Sequence, residues 1–204
     1  ALRFDGVLAD YHDPAFPRLV EALRGDSAWT LGWIDSRFAV FVPKAVALAS
    51  GGRIQAFEAL RPEANPLYLF DLDAAVAARA RAEIDRVRRT PQGRDLSLLA
   101  EGLLDLRDAG LGWAPGEALV PGADPAVCAR AGERLSALVA SRPDVPMYRY
   151  FEAIALACQG RCAPAAAALS RIPDFPDARV LARRIAAGEC VAGGGVSGDR
   201  PGMR

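Results

Sequence analysis

Hydrophobic positions follow two different periods along this chain, and the change falls near residue 66. Before it, short apolar runs alternate with polar residues, which is typical of half-buried strands. From Leu67 onward, apolar residues recur every three or four positions, which is the period of amphipathic helices. The change predicts a small α/β module over residues 1–66 and a helical module over residues 67–190.

The first predicted elements are a strand and a helix. An apolar run over residues 6–10 ends in a polar loop, which is typical of a short strand. Asp13 is a favourable N-cap residue and Pro14 suits the first helical position, so we expect a helix to begin there. Gly25 supplies the stop signal for that helix.

A hairpin follows the helix. Apolar residues alternate over positions 29–33 and again over positions 38–42, and the dipeptide Asp35-Ser36 lies between the two runs. This pattern predicts a β-hairpin. Residues 53–66 carry a weak signal that fits either a short helix or an irregular edge.

Helices account for nearly all of the second module. Their predicted bounds are residues 74–89, 95–109, 125–141, 147–160, 163–172 and 173–188. A loop rich in Gly and Pro occupies residues 110–124, and residues 191–204 are of low complexity and predicted to be a disordered tail. The fold class is therefore α+β, with a small β-α-β-hairpin module followed by a mostly α-helical, helical-hairpin module.

Small and apolar residues in the last helices follow a regular spacing. Its members are Ala153, Leu156, Gly160, Ala165, Leu169, Ile172 and Pro176. The spacing resembles the tetratricopeptide repeat, and residues 98–110 resemble the first helix of another such repeat. In that second repeat the loop around Trp113 displaces the partner helix. The resemblance implies tetratricopeptide-like helices that bind other proteins.

Composition narrows the function classes. Lys plus Arg equals Asp plus Glu, at 25 residues each, so nothing in the charge balance indicates a nucleic-acid partner or an anionic membrane surface. No run of about 18 apolar residues occurs, so we expect no membrane span inside this chain. The chain opens on Ala1 rather than Met, and we expect it to be processed or a fragment of a longer protein.

An Asp-x-Asp pair, Asp71 and Asp73, follows an apolar run and precedes a helix. That arrangement is shared by the first motif of haloacid-dehalogenase-like phosphatases and by an ordinary capped helix start. The Gly that usually follows the motif is missing, and no later alternation of strands and helices supplies the rest of such a site. A second partial match at Asp5 has Arg3 at the place of the nucleophile. We favour the capped helix start at Asp73.

His12 is the single histidine, and it lies between Asp10 and Asp13. These three residues could bind a metal or carry a proton. A second histidine would be needed to complete a ligand set, so we favour a polar loop before a capped helix. No metal and no cofactor is predicted.

The four cysteines are Cys128, Cys158, Cys162 and Cys190. Cys158 and Cys162 flank a predicted turn, and they are the candidate pair for a local disulfide in an oxidising compartment. Zinc would need two further ligands at useful spacing. The alternative is that both side chains pack as small apolar residues where two helices meet.

The segment over residues 6–44 resembles the soluble region that follows the membrane helices in bacterial polytopic glycosyltransferase-like proteins. These proteins are similar to the dolichyl-phosphate-mannose mannosyltransferase and aminoarabinose transferase group. The resemblance rests on a strand ending in Asp, a helix, and a hairpin with Trp, Asp and Val-Phe-Val at fixed places. The matching positions are Asp10, the helix around Leu19 to Leu23, Trp29, Asp35, Val40, Phe41 and Val42.

This resemblance implies a non-catalytic, extracytoplasmic (periplasmic) accessory domain of a membrane glycosyltransferase-like protein. Its partner would be the membrane-embedded portion of the same polypeptide or another protein. The family's catalytic carboxylates lie among its membrane helices, so no catalytic residue is carried over to this chain.

Two alternatives stay open. One is a free-standing tetratricopeptide-like interaction domain, which could equally be cytoplasmic. Its candidate partner contacts are Trp113, Tyr148, Tyr150 and Phe151, because aromatic residues are frequent in binding grooves. The other is a haloacid-dehalogenase-like phosphatase that uses Asp71.

Overall fold

The computed structural model of the chain describes residues 5–10, 13, 15–61, 64–111 and 123–190. A three-stranded antiparallel sheet comes first and helices follow, which confirms the α+β fold class. The elements are β1 (Val7–Asp10), α1 (Phe16–Gly25), β2 (Trp29–Ile34), β3 (Phe38–Pro43), α2 (Lys44–Ala49), α3 (Ala74–Arg88), α4 (Arg94–Asp108), α5 (Pro125–Ser141), α6 (Pro146–Cys158), α7 (Cys162–Leu169) and α8 (Pro176–Ala186). Short 3-10 helices, Pro66–Asp71 and Pro91–Gly93, precede α3 and α4.

The chain divides into two compact units, residues 1–104 and residues 105–204. The division falls within α4. The boundary near residue 66 that the sequence pattern predicts therefore lies inside the first unit. We call the first the sheet unit and the second the helical unit.

The sheet unit is built around β3, which pairs with β1 on one side and with β2 on the other. Alternation along β1 and β3, and a register shift between Leu31 and Trp33 on β2, give the sheet one buried face. Its side chains are Ala9, Leu31, Ile34, Ala39 and Phe41, each at most 3% exposed. Helix α1 contacts β1 and β2, and it buries Phe16, Val20 and Leu23. The hydrophobic effect on this face fixes the register of the hairpin, because a slip by one residue would turn every apolar side chain to the other face.

Two aspartate side chains shape the local structure of this unit. The carboxylate of Asp13 accepts the N–H of Ala15 at 2.8 Å, but the predicted N-cap position of Asp13 is wrong, because α1 begins at Phe16 and its N-cap is Ala15, which makes no side-chain cap hydrogen bond. Asp35 is 3% exposed, and it accepts the N–H groups of Arg37 at 2.7 Å and Phe38 at 2.5 Å. The predicted hairpin turn is therefore held by a buried aspartate.

Helix α2 is an element that the sequence analysis did not predict. It follows Pro43 directly and ends at Ala49; Ser50 is its C-cap residue, and Gly51 and Gly52 then take positive φ angles of 63° and 86°. After Lys44, residues 45–49 are uniformly apolar and carry no period. Ala and Leu are strong helix formers, and Pro and Gly bound the run, which is why a single short helix forms there.

The helical unit contains α5, α6, α7 and α8, whose bounds agree closely with the predicted helices. Each of these helices contacts the next one along the chain. Its fully buried side chains include Leu135, Leu138, Ile154 and Leu181. Gly160, at φ 73°, forms the turn between α6 and α7 that the repeat-like spacing predicts. Within the described residues, no helix is both long and apolar enough to cross a membrane.

Candidate functional site

The acidic pair at Asp71 and Asp73 forms a helix start. Asp71 is the last residue of a 3-10 helix, and Asp73 is the N-cap of α3, where its Oδ1 accepts the N–H of Val76 at 2.8 Å. No strand carries the pair, so the two carboxylates do not take the position that a dehalogenase-like site requires. At the other partial match, Asp5 is exposed. Arg3 and His12 lie outside the described residues.

Asp10, which ends β1, is held by a basic neighbour. The guanidinium of Arg37 donates to its Oδ2 at 3.0 Å and lies over the ring of Phe38, at 4.9 Å from the centroid. Asp10 therefore joins the end of β1 to the hairpin turn. Among the described residues, no three His, Cys, Asp or Glu side chains come together as a possible metal site.

The most elaborate polar arrangement of the sheet unit surrounds Glu83, on α3, which is 4% exposed. Its two carboxylate oxygens accept the backbone N–H groups of three consecutive residues, Glu58, Ala59 and Leu60, at 2.7 to 3.1 Å. A buried carboxylate that accepts several N–H groups is well stabilised. Glu83 thus fixes the irregular segment between α2 and α3, which we call the linking segment (residues 53–61).

Two arginines hold the same segment by its carbonyl groups. Arg86 donates to the carbonyl oxygens of Gln55 and Ala56 at 2.9 and 2.7 Å, and it lies 4.1 Å from the ring centroid of Phe57. Arg24, on α1, donates to the carbonyl oxygen of Leu60 at 2.7 Å. Desolvation lowers the pKa of Arg86 from its ordinary value, and the charge of Glu83 partly opposes that shift. The sequence pattern missed this cluster, because its partners are more than 20 positions apart.

Helix α4 carries two further buried acids, Glu101 and Asp105, one helical turn apart. They are 8% and 3% exposed. Glu101 pairs with Arg88, and Asp105 pairs with Arg134. Each buried charge is therefore compensated by an arginine, as burial of a carboxylate requires.

The expected disulfide between Cys158 and Cys162 is wrong. The structure pairs Cys128 with Cys158 and Cys162 with Cys190, with Cα–Cα distances of 5.8 and 5.7 Å. The reason lies in the direction of the side chains. Cys158 is buried against α5, whereas Cys162 begins α7 on the other side of the Gly160 turn.

Two of the four candidate partner contacts are core residues, and their assignment to a contact surface is wrong. Tyr150 and Phe151 are 3% and 1% exposed, and the ring of Tyr150 packs at a tilt against Phe151 and against Phe175, with centroid distances of 5.7 and 5.2 Å. Phe175 is the N-cap residue of α8, so the start of α8 covers Tyr150. Tyr148 is half-buried, and Trp113 lies outside the described residues.

Burial also determines the ionisation of Tyr150. Desolvation raises its pKa well above the ordinary value; the charge of Asp177 adds to the shift, and that of Arg184 opposes it. Its hydroxyl has no hydrogen-bond partner in the part of the chain that the structure describes. Tyr150 is therefore a neutral core residue over the physiological pH range.

An open groove of about 590 Å³ lies beside α2 in the sheet unit. We call it the α2 groove. Its larger apolar lining residues are Trp29, Leu31, Phe41, Leu48, Ile54 and Phe57. The charged side chains at the groove are Arg24, Lys44 and Glu58.

Apart from Lys44, helix α2 is apolar, yet it lies at the surface. None of its residues is buried, and Leu48 and Val46 are 82% and 41% exposed. A helix that is apolar all round is normally enclosed by protein, so α2 and the α2 groove together form an unusual surface. The uniform apolarity of residues 45–49 is the sequence signal that could have revealed it.

No family model, curated protein or solved structure matches this chain.

Proposed function

We propose that this chain is a non-catalytic accessory domain that binds another polypeptide segment through α2 and the α2 groove. The exposure of α2 is the observation that carries the proposal. Fully burying a Leu or Val side chain contributes about 1.5–3 kcal/mol, so a partner that covers Leu48 and Val46 gains a useful fraction of a binding free energy. The groove offers such a partner aromatic and aliphatic side chains beside the charges of Lys44 and Glu58.

The partner that we propose is the membrane-embedded portion of the same polypeptide, in a bacterial glycosyltransferase-like protein. The support is the resemblance of residues 6–44, whose strand, helix and hairpin occur in the predicted order. The resemblance implies an extracytoplasmic, periplasmic location. Two cystines support it, because disulfides persist in oxidising compartments and are rare in the cytosol.

Site-specific crosslinking tests the proposal. A photoreactive amino acid at position 48, in the full-length protein within its own membrane, should crosslink α2 to a membrane-embedded peptide of the same polypeptide. The matched control is position 21, which is exposed on α1 and lies outside the α2 groove. Equal crosslinking from both positions, or none from position 48, would contradict the proposal.

The reading frame upstream of Ala1 tests the parent assignment separately. Several apolar spans in that frame, with an acidic extracytoplasmic loop after the first, are the expected result. A start codon or signal peptide directly before Ala1 would contradict it. The crosslinking experiment would then test α2 as a surface for a separate protein.

The helical unit favours a second candidate, a tetratricopeptide-like protein-interaction domain. The specific observation is a groove across α5, α6 and α7, which lies apart from the buried aromatic residues of α6. A pull-down experiment separates this candidate from the first. A variant whose groove across α5, α6 and α7 is altered and whose α2 is intact should lose its protein partner if this candidate is right, and keep it if α2 is the binding surface.

A further inference from the structure

The groove across α5, α6 and α7 of the helical unit is open and has a volume of about 420 Å³. We call it the arginine groove. Its apolar floor is formed by one side chain from each of three helices, Val139 on α5, Leu156 on α6 and Ala168 on α7, each 8% exposed. This volume falls within the range of ordinary ligand pockets, and it would hold a few residues of peptide.

Two arginines line this groove, Arg149 on α6 and Arg171 in the turn after α7. Some arginines of the unit pair with carboxylates, for example Arg134 with Asp105 and Arg184 with Glu189. Within the described residues, the side chains of Arg149 and Arg171 form no ion pair or hydrogen bond. These two guanidinium groups outnumber the one carboxylate that lines the groove, that of Glu152, so the groove carries a net positive charge.

Glu152 lies one helical turn from Arg149 on the same helix, yet among the described residues the two side chains form no ion pair. Its Oε1 instead accepts a hydrogen bond from Ser136, on α5, at 2.8 Å. The groove therefore has cationic groups from α6 and from the turn after α7, and a hydrogen-bonded carboxylate between α5 and α6. Glu152 retains lone pairs that can accept from a peptide N–H.

We propose that the arginine groove binds a short acidic peptide segment, in which an Asp or Glu stands beside small aliphatic residues. Guanidinium groups bind carboxylates by paired hydrogen bonds, and the Val, Leu and Ala floor suits aliphatic side chains. A nucleic acid fits less well, because no aromatic side chain among the described residues lines the groove for base stacking. The site is in the helical unit, so it does not depend on whether α2 binds a partner.

Selection from a random peptide library, with the full oxidised chain as bait, tests the inference. The expected result is enrichment of peptides that combine Asp or Glu with Ala, Val or Leu. A selected peptide should bind at least about tenfold more tightly than its counterpart with Asn or Gln in place of the acid. Its affinity should also fall as salt concentration rises.

Matched variants locate the site. R149Q and R171Q should each weaken binding of the acidic peptide about tenfold, and the double variant should abolish the preference for the acid. Arg179→Gln, which changes an exposed arginine outside the groove, should leave the affinity unchanged. Circular dichroism of all variants controls for folding.

Three outcomes would overturn the inference. They are selected peptides without acidic enrichment, an acid preference that survives in the double variant, and equal binding of a single-stranded oligonucleotide. Failure to select any peptide counts against it as well. None of these outcomes bears on crosslinking from position 48, so the two proposals fail separately.

Discussion

The two units of this chain hold their backbone in place by different means. In the sheet unit, side chains from two helices hold the linking segment: Glu83 accepts its backbone N–H groups, and Arg86 and Arg24 donate to its carbonyl oxygens. In the helical unit, two covalent bonds join α5 to α6 and the start of α7 to the residue at position 190. The first mechanism depends on buried charge and the second on redox state, so each unit should respond to a perturbation that spares the other.

Reduction should produce the largest difference between the units. Each cystine closes a loop, with sequence separations of 30 and 28 residues, so its loss should cost the helical unit about 3–4 kcal/mol of unfolding free energy. Hydrogen exchange measured by mass spectrometry checks this, because amides of α5–α8 should lose protection while those of β1–β3 and α3 keep it. Equal loss of protection in both units would remove the distinction.

Glu83→Gln should have the next largest effect, and in the opposite unit. A Gln side chain accepts with one oxygen only, so its amide group would face a backbone N–H that now lacks an acceptor. We expect the unfolding free energy of the sheet unit to fall by about 3 kcal/mol in urea denaturation. The control is Glu58→Gln, which removes an exposed ion pair with Arg79 and should change stability by less than about 1 kcal/mol. Similar losses of unfolding free energy in the two variants would show that the buried hydrogen bonds of Glu83 stabilise the unit no more than an exposed ion pair does.

Tyr150→Phe should give a smaller, stabilising effect in the helical unit. Removing a buried hydroxyl that lacks a partner should raise the unfolding free energy by about 1 kcal/mol at neutral pH. Denaturation by urea measures it, with Tyr148→Phe as the half-buried control. A destabilised Tyr150→Phe variant would mean that the hydroxyl does have a partner.

The pH dependence of the same residue provides a further check. Because the folded-state pKa of Tyr150 is raised, the folded chain holds the phenol proton more tightly than the unfolded chain does. Its contribution is therefore fully present below the unfolded value of about 10 and is lost as the pH rises above it. Tyr150→Phe should therefore lose less stability than the parent chain as the pH rises above about 10.

The smallest effect on stability should come from Leu48→Ser, although this site matters most for the proposed function. Leu48 is 82% exposed, so the variant should change the unfolding free energy by less than about 0.5 kcal/mol. Crosslinking from a neighbouring position on α2 should nevertheless fall. Leu31→Ala, at 2% exposure, is the contrasting core variant and should cost about 2–5 kcal/mol.

Sequence periodicity predicted the long helices well. Helix α3 was expected over residues 74–89 and runs over Ala74–Arg88, and α5 has the predicted bounds, Pro125–Ser141. Their amphipathic patterns extend over several turns, and caps such as Asp73 mark their starts. The helix N-cap interpretation of Asp73 followed from the same local signals.

Features that depend on distant partners were not predictable in this way. Cys158 and Cys162 are close in sequence, but their side chains leave the turn in different directions. Glu83 lies 23 to 25 positions from the N–H groups that it holds. Helix α2 was missed for another reason, because a uniformly apolar run has no period to detect.

The two cystines also have a consequence for biogenesis. They join the cysteines in the order of the sequence, the first with the second and the third with the fourth. A chain that emerges N-terminus first therefore exposes both cysteines of the first bond before either cysteine of the second. Each bond needs an oxidant to form, and consecutive connectivity lets the first bond form without waiting for the C-terminal part of the chain.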